Sequence, residues 1–133
     1  MIKLQKRVAR IILDTDYFAP SAPLFKQLQW MTIENRITFH KCVLVFKWIK
    51  GQAPVYLSNK IKHISENNPY QLRNAIKGDL HIPKTRTELF KKSFSYSAPT
   101  LWNSLPIEVR NEKTIPTFKD QLKLLLMSLQ EDE

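Results

Sequence analysis

A mainly α fold is predicted by this sequence: a small helical bundle of about five to six helices with a loop-rich middle and at most a short β-hairpin. Three observations predict it. Apolar residues recur at helical spacing at both ends of the chain. Start, stop and dipole signals agree around residues 33–51. Residues 62–88 are rich in Asn, Pro, Gly and Thr and lack a period. A length of 133 residues fits one domain or one segment of a larger protein. Along it, residues 1–61 read as N-terminal helices, 62–96 as loop and short strands, and 97–133 as C-terminal helices.

In residues 2–13, Leu4, Val8, Ile11 and Ile12 follow helical spacing while Lys3, Lys6, Arg7 and Arg10 fall largely on the other side, the pattern of a basic amphipathic helix. Two prolines in residues 17–23 break the pattern. Ser21 is then the expected cap of a helix of about two turns, with Pro23 in its first turn and Leu24, Phe25 and Leu28 pointing inward. Thr32 is an N-cap for the longest helix, expected over 33–50, with Glu34 in its first turn, Lys47 and Lys50 in its last, and Gly51 as its stop. Ile33, Ile37, Leu44 and Trp48 form one apolar stripe on it, and Phe39, Val43 and Phe46 a second, so it is expected to pack on two sides. Pro54 opens a short helix to about residue 61, with Val55, Tyr56, Leu57 and Ile61 buried. Residues 80–82 offer a strand piece, and the Ser–aromatic alternation of residues 93–97 has the period of a half-buried strand. Ser97 with Pro99 would cap a short helix through Leu105. The last helix is expected from Thr114 and Pro116 to about residue 129, with Phe118, Leu122, Leu125, Leu126 and Leu129 as its apolar face.

The formal charge is +9, and it is uneven: residues 1–100 hold 17 Lys or Arg against 6 acids, and residues 101–133 hold 4 against 6. A cationic surface raises the local concentration of polyanions, so nucleic acid or an acidic membrane surface are its natural partners. Cys42 is the single cysteine, which excludes an internal disulfide or a multi-cysteine zinc site and suggests a reducing compartment, cytosol or nucleus. The longest apolar run of the basic N-terminus is three residues, too short for a secretory core or a membrane span. No membrane partner is expected.

With glycine only at 51 and 78, a Gly-rich phosphate loop is excluded, and hydrolase, C-x-x-C and zincin signatures are absent. His40, His63 and His81 lie far apart and read as ordinary histidines, Asp14 and Asp16 as turn formers, and Cys42 as core. No catalytic residue, metal site or cofactor is expected. Basic and aromatic residues interleave from Arg73 to Trp102: Lys77, Lys84, Arg86, Lys91 and Lys92 with Tyr70, Phe90, Phe94 and Tyr96. Phosphate contact plus base stacking uses this mixture, and so does an aromatic core under a solvated surface.

Five blocks stand in order: LQKRVARIIL, APLFKQLQW, ENRITFHKCVLVFKWIKGQAPVYLS, TRTELFKKSFSYSAPTLWNSLP and TFKDQLKLLL. This order resembles the C-terminal region of reverse transcriptases from non-LTR retrotransposons of the Jockey and CR1 kind, over nearly the whole chain. The resemblance implies a post-palm, thumb-like or connector segment of a larger polyprotein. It implies no polymerisation by this chain alone, because the Y-A-D-D aspartates of the palm are not in it. It also implies that Lys3, Lys6, Arg7 and Arg10 of the first block, and Arg86, Lys91 and Lys92 of the fourth, contact template RNA or primer duplex. Arg73 and Lys84 join them from the basic–aromatic stretch. Trp30, Trp48, Trp102, Leu105 and Pro106 are expected as packing anchors. Met1 directly before the first block suggests a truncated element or a fragmentary gene prediction. The alternative expectation is a protein-interaction or structural remnant whose helices normally pack on upstream polymerase domains, with self-association when those stripes are exposed.

Overall fold

The computed structural model describes residues 1–64 and 78–131. Among these the chain is mainly helical, with seven α-helices and no strand. The helices are α1 (Ile2–Ile12), α2 (Ser21–Leu28), α3 (Ile33–Ile49), α4 (Glu88–Lys91), α5 (Phe94–Ser104), α6 (Ile107–Arg110) and α7 (Ile115–Glu131), with a 3₁₀ turn at Val55–Asn59. They belong to two compact units, Met1–Phe39 with Asp120–Glu133, and His40–Lys119.

In the first unit, α1 ends where Asp14 takes a left-handed conformation (φ 48°) and the Thr15 N–H returns to the Arg10 carbonyl. α2 ends likewise at Gln29 (φ 53°). Ala9, Leu24 and Phe25 are its buried nucleus, with Leu13, Ala19, Leu28 and Trp30 packed on them. The connection into α3 is held from both sides by glutamine amides. Gln5 Nε2 donates to the Met31 carbonyl (2.8 Å) and its Oε1 accepts from the Ile33 N–H (3.1 Å). Gln130 Oε1 accepts from the Thr32 N–H (3.0 Å), and its Nε2 donates to the Trp30 carbonyl (3.2 Å). Thr32 Oγ1 caps α3 by accepting from the Asn35 N–H.

The core of the second unit is aromatic: Phe46 and Phe118 stack with centroids 4.2 Å apart, and Trp102 lies 6.5 Å from Phe46 and 5.9 Å from Phe118. Cys42, Val43, Val45, Leu57, Ile61, Leu80, Ala98, Leu105 and Val109 complete it. Residues 62–64 and 79–81 meet in an isolated antiparallel bridge, His63 opposite Leu80, with the His81 N–H on the Lys62 carbonyl (2.8 Å). In such a pair the main-chain groups of Leu80 point away from the partner segment. Asn103 takes both of them: its Oδ1 accepts from the Leu80 N–H (2.8 Å) and its Nδ2 donates to the Leu80 carbonyl (2.9 Å). Arg110 ties the same segment through Asp79 at 2.7 Å, a pair with side chains 7% and 16% exposed.

Several expectations are corrected. Residues 94–97 are helical, the first turn of α5, with Ser93 rather than Ser97 at the N-cap position and Pro99 inside the helix. Ala98 and Trp102, four residues apart, are both buried, so the helical period overrides the five-residue alternation. The segment after Pro54 is one 3₁₀ turn that buries Leu57 but exposes Val55 (86%) and Tyr56 (67%). On α3 the buried residues are Cys42, Val43, Val45 and Phe46, whereas Ile37 is exposed. On α7 Phe118, Leu122 and Leu126 are buried and Leu129 is exposed.

Candidate nucleic-acid interface

α1 carries three distinct sectors at 3.6 residues per turn. Ile2, Gln5, Ala9 and Leu13 share the face that meets the first unit, and Ala9, whose small side chain allows close approach, is fully buried. Leu4, Val8, Ile11 and Ile12 share a second arc, exposed at 64%, 37%, 69% and 54%. Lys3, Lys6, Arg7 and Arg10 share the third. Lys3 and Arg7 are exposed, and Lys6 and Arg10 half-buried.

Three of these cations converge. Lys3, Arg7 and Arg10 line an open groove of about 410 Å³ together with Leu4 and Tyr17. Arg10 is fixed there because its Nε donates to the Ala19 carbonyl at 2.9 Å, which sets the guanidinium against the turn that follows α1. Tyr17 stands 68% exposed beside it, in edge contact with Phe18 at 5.2 Å. No acid occurs before Asp14. Guanidinium groups recognise phosphate bidentately, lysine adds a point charge, and an exposed phenol ring stacks on a base or donates to a phosphate oxygen. Sequence reasoning missed Tyr17, whose signal was an aromatic directly after a basic helix. It also missed Arg36 and Lys123, which line a second groove of about 350 Å³ with Gln5, Gln29 and Trp30.

The other predicted cations belong to the second unit. Lys84, Arg86 and Lys92 are exposed, and Lys91 Nζ sits 2.7 Å from Glu88 Oε1, so part of its charge is answered within α4. Phe90 is 39% exposed, while Phe94 and Tyr96 are half-buried on the first turn of α5. Arg73, with Lys77 and Tyr70, lies outside the described residues.

Of the expected anchors, Trp102 and Leu105 are buried at 3% and 7%. Pro106 is exposed at the N-cap position of α6 (φ −57°, ψ 146°), where its fixed φ suits the turn between two helices. Trp30 is half-buried against Phe25, with centroids 6.4 Å apart. Trp48 is half-buried, stacks on His63 at 4.9 Å and donates from Nε1 to Ser58 Oγ. Among the described residues no three His, Cys, Asp or Glu side chains group as metal ligands. Burial pushes the Cys42 thiol up to about 12, against a small opposing pull from Lys41, so this sulfur is protonated near neutrality. Among the described residues no helix is long and apolar enough to cross a membrane.

No family model, curated protein or solved structure significantly matches the chain.

Proposed function

We propose that this chain is a non-catalytic, nucleic-acid-binding segment of a reverse transcriptase of the non-LTR retrotransposon kind, gripping template RNA or primer–template duplex through a basic face. The family reading rests on the order of the five sequence blocks. The binding reading rests on one observation, the convergence of Lys3, Arg7, Arg10 and Tyr17 on an acid-poor groove. Cations gathered in this way release counterions from a phosphate backbone, which makes affinity steeply salt-dependent.

The test is titration of the full chain against an RNA hairpin, an RNA–DNA hybrid and duplex DNA across a salt series. The logarithm of the affinity falls with the logarithm of salt, and replacing Lys3 and Arg7 by Gln lowers the slope by about 1 to 2 on the expectation of roughly one phosphate per cation. A folded chain that binds none of the three probes at low ionic strength refutes the proposal. So does binding unchanged by the double substitution together with Arg10→Gln.

A second reading, a protein-interaction or structural segment without activity of its own, is favoured by the exposed arc of Leu4, Val8, Ile11 and Ile12. It predicts association that depends on those side chains and is indifferent to nucleic acid.

A further inference from the structure

The apolar arc of α1 calls for an occupant. Four aliphatic side chains lie within about 100° of arc on an eleven-residue helix, and each keeps more than a third of its surface in water. Single exposed apolar residues are ordinary, but a contiguous row beside a charged row marks an interaction surface. The turn after α1 adds Tyr17 at 68% and Phe18 at 84% exposed, with Tyr17 beside Lys3, Leu4 and Arg7 where the basic arc borders the row.

The chemistry beside the row narrows the occupant. Arg7 and Lys3 border it, Arg10 and Lys6 continue the positive arc, and in the sequence no acid precedes Asp14 and Asp16 beyond the helix end. A second copy of α1 set against this face would bring cations against cations, which opposes self-association. A surface offering both apolar depth and diffuse negative charge along the whole helix satisfies both arcs together. Aromatic side chains such as Tyr17 and Phe18 favour the boundary between apolar chains and polar headgroups.

We propose that α1, with the Tyr17–Phe18 turn, docks on an anionic lipid surface, with Leu4, Val8, Ile11 and Ile12 entering the acyl boundary and the exposed Lys3 and Arg7 that border them meeting lipid phosphates. The helix lies in the interface and does not span it. This departs from the expectation of no membrane partner, and it stands independently of the nucleic-acid reading, which needs the cations but not the apolar arc.

The experiment is co-sedimentation of the full chain with vesicles of phosphatidylcholine alone and of phosphatidylcholine mixed with phosphatidylserine. Binding is expected to the mixed vesicles only. Ile11→Asn with Ile12→Asn, both at exposed positions, is expected to weaken it by at least about tenfold while circular dichroism and RNA-hairpin binding stay unchanged. As a second measurement, Ile11→Cys carrying a polarity-sensitive dye reports entry into an apolar layer, and the buried Cys42 does not compete for the label. The proposal is overturned by no binding to mixed vesicles, by equal binding of the Asn double variant, by no spectral shift of the dye, or by a dimer that the same double variant abolishes. Loss of RNA binding alone leaves it intact.

Discussion

Replacing Asn103 by Ala tests whether one amide holds the connection between the bridge and the basic segment that follows it. Leu80 is fully buried, and the Asn103 amide satisfies both its N–H and its carbonyl at 2.8 and 2.9 Å. Alanine leaves two main-chain polar groups without a partner. An orphaned buried group costs roughly 1 to 3 kcal/mol, and because Asn103 is only half-buried some water reaches the site, so about 2 to 3 kcal/mol of destabilisation is expected. For a chain of this size that corresponds to a fall in Tm on the order of 5 to 10 °C.

Asn103→Asp sharpens the test. The carboxylate still accepts from the Leu80 N–H but sets a second oxygen against the Leu80 carbonyl, which disfavours the charged form and raises the folded pKa of that Asp. The penalty is therefore full near neutrality and lessens as pH falls through the raised folded value, because the protonated acid donates again. Denaturant unfolding of the three proteins at neutral and mildly acidic pH reads both effects. A loss below about 0.5 kcal/mol for the Ala variant, in the range of an ordinary surface substitution, refutes the reasoning.

Phe118→Ala removes the ring stacked on Phe46 and is expected to cost about 3 to 5 kcal/mol, measured by chemical denaturation; a loss under about 1 kcal/mol would mean that the aromatic cluster repacks freely. Gln130→Ala frees the Thr32 N–H and the Trp30 carbonyl, so about 1 to 3 kcal/mol is lost and the Thr32 amide gains hydrogen exchange, whereas unchanged protection would show that solvent already reaches it. Burial raises the Cys42 pKa from about 9 to about 12, so the folded thiol keeps a proton that the unfolded one releases. Stability from this group is fully present below about 9 and is lost as pH rises toward about 12, a loss that Cys42→Ala should abolish in unfolding curves compared at neutral pH and near pH 10. A wild-type chain and Cys42→Ala variant with parallel pH dependence would contradict the assignment.

Much of the helical framework was legible from local signals. Thr32, Glu34, Lys47 and Gly51 bracket α3 because capping and dipole effects act within one turn, and the leucine spacing of α7 marks its buried side. What periodicity shows is that a helix has faces, not which face is covered. α1 meets its unit through Ala9, Gln5 and Leu13, while the stronger aliphatic row is exposed. Residues 93–97 misled for a related reason, since two alternations fit a strand as well as the opening of a helix. Gln5, Gln130, Asn103 and the Arg110–Asp79 pair were not legible because each acts on a segment distant in sequence and none belongs to a local pattern. At the groove, the four cations of α1 were visible in the chain, but the convergence of three of them with Tyr17 depends on the turn at Asp14.

The two glutamines that pinch the Trp30–Ile33 connection also set an order of events during synthesis. Gln130 is separated by 98 and 100 positions from the two residues whose main chain it binds, so the unit containing α1 and α2 cannot finish until α7 has been made. Residues 40–119, by contrast, contain the aromatic stack, the bridge, the Asn103 amide and the Arg110–Asp79 pair, all within themselves. Residues 40–119 are therefore equipped to complete their own contacts before Gln130 emerges, whereas the clasp of Gln130 on the Trp30–Thr32 connection spans the whole of that unit in sequence and closes after it.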